Sequence, residues 1–222
     1  MRAVVFDLDD TLIDESGARA RVWREVCPDN AVRATLESTE RWYWSDPARH
    51  ARGRLDVAAA RREIVARALG ALDRRDDDAV ALAARYHERR EAALRLMPGA
   101  LALLDRLRTR GVRLGLLTNG AAERQRAKLV RFQLSAAFES VVIEGELGYG
   151  KPDPRSYRAV LARLGAPAQA TWIVGDDFEW EVVSPRRLGV STAWLDRAGC
   201  GLPAGCPVAP HRIVTSLDEL WP

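Results

Sequence analysis

Short apolar runs alternate with amphipathic segments along the second half of the chain, from about residue 97 onward. The runs are nearly continuous and rich in Val, Ile and Leu, which is typical of strands covered on both faces. They read VRLGLLTNG, FESVVIEG, TWIVGDD, VSTAWL and HRIV. The segments between them have helical spacing, and several end at a glycine that suits a helix terminus. This alternation predicts an α/β fold with a parallel sheet and helices on both faces.

The first strand is separated from the others by a long helical stretch. AVVFDL, at Ala3–Leu8, has the features of a buried strand, whereas residues 15–96 are rich in Ala, Leu and Arg and contain no convincing strand. About four helices are expected there. Because this stretch follows the carboxyl end of a strand, where open α/β sheets bind ligands, it is expected to cover the site. The predicted domains are a core formed by residues 1–14 and 97–222 and a helical insertion at 15–96.

Composition and charge exclude several classes of protein. The net charge is +3 and no long Lys/Arg block occurs, which argues against nucleic acid as the main partner. No apolar run approaches the ~18 residues of a membrane helix, so no membrane association is expected. Three cysteines (Cys27, Cys200 and Cys206) do not make a disulfide framework, and the amino terminus does not resemble a signal peptide. We therefore expect a cytoplasmic protein.

Polar side chains follow several of the predicted strands. They are Asp7, Asp9, Thr11, Thr118, Asn119, Asp176 and Asp177, with Lys151 in a GKPDP segment between the last two strands of this set. Each group alone could be a solvated turn or a helix cap. In a parallel sheet, however, all would converge at one edge, where several carboxylates suit a hard cation such as Mg²⁺. A cation would also relieve the repulsion among the acids.

Lysine is rare in this chain. Lys128 and Lys151 are its only lysines, among 34 basic residues. An ammonium kept where guanidinium is otherwise the rule suggests that a compact point charge is needed at position 151.

The motifs DLDDT, LLTNG, GKPDP and GDD, in this order, resemble those of the haloacid dehalogenase-like hydrolase superfamily. The resemblance covers the whole chain and implies a Rossmann-like core with an α-helical cap of the C1 type. It implies that Asp7 is a nucleophile that forms an aspartyl-phosphate, and that Asp9 is a general acid and base. It further implies that Thr118, with Asn119 beside it, and Lys151 bind the phosphoryl group. Mg²⁺ would be held by the Asp7 side chain, the backbone carbonyl of Asp9 and the Asp176 side chain.

The second aspartate distinguishes reactions within this family. Members that cleave carbon–halogen bonds replace it, since a halide leaves without a proton, so Asp9 favours a phosphatase. The expected substrate is a small phosphorylated metabolite. A TNG…Q..K run from Thr118 to Lys128 resembles members acting on sugar phosphates or nucleoside monophosphates. A dehalogenase, a phosphomutase and a catalytically retired binding protein remain alternatives.

Other stretches depart from the pattern or stay open. In GDDFEWEV, Trp180 replaces a common Asn and Glu181 a common Asp, so either Asp177 or Glu181 could complete the metal site. The segment EWEVVSPRRLG is expected to be helical, with a break or bend at Pro185. The RWYW cluster at residues 41–44 is either core or substrate contact. The spacing of Cys200, Cys206 and His211 fits no common zinc site, so we expect these residues to lie in a loop that binds no metal.

Overall fold

The computed structural model describes residues 1–74, 78–202, 204–206 and 208–221. It contains two compact units. The first, which we call the sheet unit, comprises Met1–Asp14 and Leu96–Pro222; the second, the helical unit, comprises Glu15–Arg95. Leu96 belongs to the sheet unit, where it forms a backbone bridge with Ile13.

The sheet unit contains six parallel strands in the order β3-β2-β1-β4-β5-β6. The strands are β1 (Ala3–Phe6), β2 (Arg113–Thr118), β3 (Ser140–Ile143), β4 (Thr171–Gly175), β5 (Ser191–Leu195) and β6 (Arg212–Val214). Its helices, numbered after five in the helical unit, are α6 (Ala100–Thr109), α7 (Ala122–Arg131), α8 (Glu144–Leu147), α9 (Pro154–Leu164) and α10 (Ser184–Arg186). The predicted α/β fold with a parallel sheet is confirmed.

The central position of β1 explains its apolar sequence. It pairs with β2 on one side and β4 on the other, and all four of its residues are fully buried. Its last residue, Phe6, is in register with Leu116 of β2 and Val174 of β4. The three strands therefore end side by side, and the polar residues that follow them share one edge of the sheet.

Helix α9 shows how local signals and packing agree. The Asp153 side chain accepts a hydrogen bond from the Arg155 amide at its start, and Gly165 ends it with a left-handed φ of 55°. One face of the helix buries Tyr157, Val160 and Leu164 in a cluster with side chains of β1 and β2. The helix thereby fixes the segment that carries Lys151, directly before it.

The segment after β4 is helical, but with wider turns than expected. Residues Glu179–Val183 form a π-helical turn, which continues into α10. Pro185 follows this turn directly and has no N–H, so it cannot donate the next hydrogen bond of the continuing helix. The expected break therefore takes the form of a change in helix type.

The helical unit contains five described helices where about four were expected. They are α1 (Glu15–Val26), α2 (Asn30–Ser45), α3 (Pro47–Leu55), α4 (Val57–Ala71) and α5 (Ala79–Ala93). The additional helix arises because two aspartates cap new helix starts within this stretch. Asp46 accepts from the Arg49 amide at the start of α3, and Asp56 accepts from the Ala59 amide at the start of α4. The last predicted helical segment begins at Asp77, which lies outside the described residues.

Aromatic side chains form the core of the helical unit. The rings of Trp23 and Tyr86 stack with centroids 3.6 Å apart, and Tyr43 is buried in the same cluster. Trp42 and Trp44 are partly buried against it, and the Trp42 ring lies between the guanidinium groups of Arg49 and Arg67. The RWYW cluster thus serves this unit's own packing.

None of the described helices is long and apolar enough to cross a membrane. The three cysteines are free thiols, and Cys27 is buried. In the loop at 199–211, Pro203 and Pro207 lie outside the described residues, while Cys200 is exposed. His211 accepts a hydrogen bond from the Thr192 amide and contacts Arg186. The described residues contain no group of three His, Cys, Asp or Glu side chains arranged to hold a metal ion.

Candidate active site

Asp7, Lys151 and Glu181 form a buried charge cluster at the edge of the sheet. The Asp7 amide donates to the carbonyl of Val174, which extends the β1–β4 pairing by one residue. Lys151 Nζ lies 2.5 Å from Asp7 Oδ1 and 2.6 Å from Glu181 Oε1. Both partners of this ammonium are buried, as is Lys151 itself, which is 2% exposed. Burial acts to lower the Lys151 pKa, but the two carboxylates outweigh it and raise the pKa, so the ammonium stays charged.

Asp176 adds a further carboxylate to this edge. Thr11 Oγ1 lies 3.4 Å from Asp7 Oδ2 and 3.3 Å from Asp176 Oδ1, so one hydroxyl connects the two acids. The backbone carbonyl of Asp176 accepts a hydrogen bond from the indole of Trp194. Burial, followed by the charge of Asp7, raises the pKa of the Asp176 carboxyl well above its ordinary value. Three acidic side chains therefore lie around one ammonium, and their mutual repulsion together with burial disfavours their charged forms.

Asp9 is held by two residues of α7. Lys128 Nζ lies 2.6 Å from Asp9 Oδ1, and Gln125 Nε2 lies 2.9 Å from Asp9 Oδ2. Lys128 and Gln125 are both nearly fully buried, whereas the Asp9 side chain keeps 27% of its surface exposed. The Asp9 side chain is therefore held by α7, while part of its surface stays accessible to solvent.

Thr118 and Asn119 follow β2 and contact different parts of the site. Thr118 is buried, and its hydroxyl accepts a hydrogen bond from Gln125 Nε2 at 2.7 Å. Asn119 makes two hydrogen bonds with the backbone of Lys151: its Nδ2 donates to the carbonyl, and its Oδ1 accepts from the amide. Asn119 therefore positions the lysine segment; its contact with a phosphoryl group stays a prediction.

Asp177 and Glu181 make different contacts. Glu181 accepts from Lys151 through one oxygen and from the Asp177 amide, at 2.9 Å, through the other. The exposed Asp177 side chain accepts from the Trp180 amide and so caps the π-helical turn. The Trp180 ring centroid lies 5.9 Å from Lys151 Nζ. Of the two acids left open by the sequence, Glu181 is the one inside the charge cluster.

The structure thus brings together Asp7, Thr11, Lys151, Asp176 and Glu181 in one cluster. Asp9 and Thr118 are joined by Gln125, which the sequence did not single out as a site residue. Gln125 and Lys128 are the Q and K of the TNG…Q..K run, which the sequence linked to substrate and not to Asp9; the scarcity of lysine is a second signal, since both lysines contact the paired aspartates Asp7 and Asp9.

The chemistry of this donor set fits a magnesium ion. Carboxylate and carbonyl oxygens are the ligands Mg²⁺ prefers, and it usually keeps several waters, so few protein ligands suffice. Asp7 and Asp176 contact the same hydroxyl oxygen, and the cluster contains three acids but one ammonium. A divalent cation would offset both the repulsion and the cost of burying these acids.

The parallel sheet and the acidic residues at the ends of its strands are typical of one class of hydrolase. A family model supports the same assignment. The model for haloacid dehalogenase-like hydrolases matches residues 1–189, and the chain belongs to this family. The prediction of an enzyme of this family is confirmed.

Two curated relatives are phosphatases. A phosphoserine phosphatase of Thermus thermophilus is 39% identical over 161 residues, an alignment that covers 72% of this chain but only 61% of the relative. A glyceraldehyde 3-phosphate phosphatase of Pyrococcus abyssi is 29% identical over 209 residues, covering 88% of this chain and 81% of the relative.

A crystal structure of a dehalogenase has a similar fold. It is 27% identical, covers 100% of this chain and 96% of its own, and superposes with a TM-score of 0.77. The same architecture therefore occurs with either chemistry, and the site residues must distinguish them.

Proposed function

We propose that this protein is a Mg²⁺-dependent phosphomonoesterase that acts on a small phosphorylated metabolite. The single observation that carries the proposal is that two neighbouring aspartates, Asp7 and Asp9, lie in different environments. Each contacts a lysine, but Asp7 is buried beside Lys151, whereas Asp9, two residues away and contacted by Lys128, remains partly exposed. One suits attack on phosphorus and the other suits proton transfer.

The chemistry assigned to these residues has two halves. In the first, an Asp7 oxygen forms a bond with phosphorus while the bond between phosphorus and the leaving oxygen breaks. The leaving oxygen keeps the electron pair and takes a proton from Asp9. In the second, a water oxygen bonds to phosphorus, its proton passes to Asp9, and the bond between Asp7 and phosphorus breaks. Inorganic phosphate, an alcohol and the original enzyme result.

Positioning and charge neutralisation are what such a transfer requires most. Lys151 would offset charge on Asp7 and the phosphoryl oxygens, and the Thr118 hydroxyl would bind one of those oxygens. Asp7 and Asp176 would hold Mg²⁺ with the Asp9 carbonyl, and the ion would neutralise developing charge on the phosphoryl group. Glu181 would keep Lys151 in place.

The substrate is proposed as a small alkyl phosphate. The two phosphatase relatives are named for phosphoserine and glyceraldehyde 3-phosphate, and sugar phosphates and nucleoside monophosphates belong in the same panel. The proposed compartment is the cytoplasm, since buried free thiols such as Cys27 persist in reducing compartments.

The proposal is tested by phosphate release from p-nitrophenyl phosphate and from this panel, with Mg²⁺ or with EDTA. We expect turnover only with Mg²⁺, and none for Asp7→Asn. The matched control is Asp105→Asn, an exposed aspartate on α6, which should retain full activity.

The same assay separates the alternatives. Halide release from a 2-haloacid without phosphate release would indicate a dehalogenase, which the presence of Asp9 disfavours. Transfer of phosphate between carbons of a sugar would indicate a phosphomutase. No turnover of any compound would favour a binding protein and contradict the proposal.

A further inference from the structure

Both oxygens of the Asp9 carboxylate are engaged by α7. Lys128 contacts Oδ1 and Gln125 contacts Oδ2, at 2.6 and 2.9 Å. The two residues are three apart in the helix and therefore lie on the same face. A carboxylate contacted at both oxygens from one rigid element has little freedom to rotate.

Lys128 is an unusual residue to bury here. The chain has 34 basic residues, and this is one of its two lysines. Its side chain is only 2% exposed, and burying an ammonium costs several kcal/mol unless a paired charge compensates it. Such a residue is better explained by its contact with Asp9 than by a general need for positive charge, which exposed arginines meet elsewhere.

The orientation of the Gln125 amide is fixed by its neighbours. Its Nε2 lies within 3.0 Å of three oxygens, those of Asp9, Thr118 and the Asn119 carbonyl. A flipped amide would point an oxygen at a carboxylate and a carbonyl, which is repulsive. Its Oε1 is buried without a donor among the described residues, a cost that is incurred to direct Nε2 at the site.

We propose that Lys128 is a positioning residue that acts through Asp9, and that Gln125 links this contact to Thr118. The inference rests on the proposed function. Lys128 holds the Asp9 carboxyl where it can give its proton to the leaving oxygen while Asp7 bonds to phosphorus. The loss of activity on replacing Lys128 must therefore depend on the leaving group of the substrate. The oxygen of an alkyl phosphate needs that proton, whereas p-nitrophenolate leaves readily without one.

The test compares kcat/KM of wild type and Lys128→Met on two substrates. One is p-nitrophenyl phosphate, and the other is whichever alkyl phosphate of the panel the wild type hydrolyses fastest. Since general acid catalysis contributes ~10²–10⁴-fold, we expect the alkyl phosphate to lose about tenfold more than the aryl phosphate. Lys128→Arg, which keeps a charged donor, should recover part of the loss. Arg131→Met, at an exposed residue in the last turn of the same helix, should behave as wild type.

A double-mutant cycle separates action through Asp9 from a structural effect. Asp9→Asn should show the same dependence on leaving group, and adding Lys128→Met to it should cause little further loss. Equal losses on both substrates, or losses that add fully, would overturn the inference while leaving a functional phosphatase. A wild type that hydrolyses neither substrate would overturn the proposed function as well. If Lys128→Met does not fold, Lys128→Gln is judged by the same criteria.

Discussion

At the scale of single residues, the site depends on one ammonium shared between two carboxylates. Lys151 is buried between Asp7 and Glu181, and the chain's other lysine, Lys128, contacts Asp9 instead. Lysine suits this position better than arginine, because an ammonium is compact whereas a guanidinium is larger and planar.

Lys151→Met should lower kcat by about 10²-fold or more, which is the usual scale for removing a preorganised charge at a reacting centre. The measurement is steady-state phosphate release with Mg²⁺ present, with Arg108→Met on the surface of α6 as the control. Near wild-type turnover by Lys151→Met would remove this residue from the mechanism.

Glu40 allows a test of charge burial in the helical unit. It is buried, and its Oε1 accepts a hydrogen bond from the Trp23 indole. Burial raises its pKa above the ordinary value of 4.5, so the folded state holds this proton more tightly than the unfolded state. Between the ordinary and the raised pKa, this group therefore lowers the free energy of unfolding as pH rises.

Glu40→Gln keeps an acceptor for Trp23 and removes the charge. Its thermal midpoint should exceed that of the wild type at pH 8, and the difference should shrink toward pH 4.5, the ordinary value for a glutamate. A pH-independent difference would show that charge burial is not the cause.

At the scale of elements, β4 and the π-helical turn together place Glu181. A Cβ on Gly175, the last residue of β4, would lie 2.1 Å from Glu181 Cγ. The glycine is thus required by close approach and not by its backbone angles.

Gly175→Ala should push Glu181 away from Lys151, lowering both activity and, by about 1–3 kcal/mol, the free energy of unfolding. Gly70→Ala is the matched control, because a Cβ there in α4 meets no atom within 4 Å. It should leave activity unchanged and stabilise the protein by about 0.5–1 kcal/mol. Unchanged activity in Gly175→Ala would contradict the role given to Glu181.

The sequence predicts elements better than it predicts contacts between them. The apolar run of β1 is a local signal and is found as predicted, and the Asp153 and Gly165 caps of α9 are likewise local features of the sequence. Convergence of the strand ends follows from parallel pairing alone. The contact between Lys128 and Asp9 depends instead on how α7 rotates against the loop after β1, which no local pattern specifies. Likewise, the choice of Glu181 over Asp177 depends on the π-helical turn.

At the scale of the whole molecule, metal binding should be coupled to folding. In their charged forms, Asp7, Asp176 and Glu181 repel one another in the folded sheet unit, and a bound cation would offset that repulsion. A ligand that binds only the folded state stabilises it by about 2.7 kcal/mol at a hundredfold excess over Kd.

Mg²⁺ should therefore raise the thermal midpoint of the wild type, and EDTA should reverse the effect. The shift should be lost in Asp176→Asn and retained in Asp105→Asn. A full shift in Asp176→Asn would place the ion elsewhere.

Trapping the covalent intermediate tests directly whether Asp7 is the nucleophile. Enzyme, Mg²⁺ and an alkyl phosphate that the wild type hydrolyses are mixed, quenched in acid within the first turnovers and digested, and the peptides are analysed by mass spectrometry. We expect a phosphoryl group on the peptide containing Asp7, present in the wild type and absent in Asp7→Asn. Turnover of the same substrate with no phosphoryl group on Asp7, or with one on another residue, would contradict this prediction.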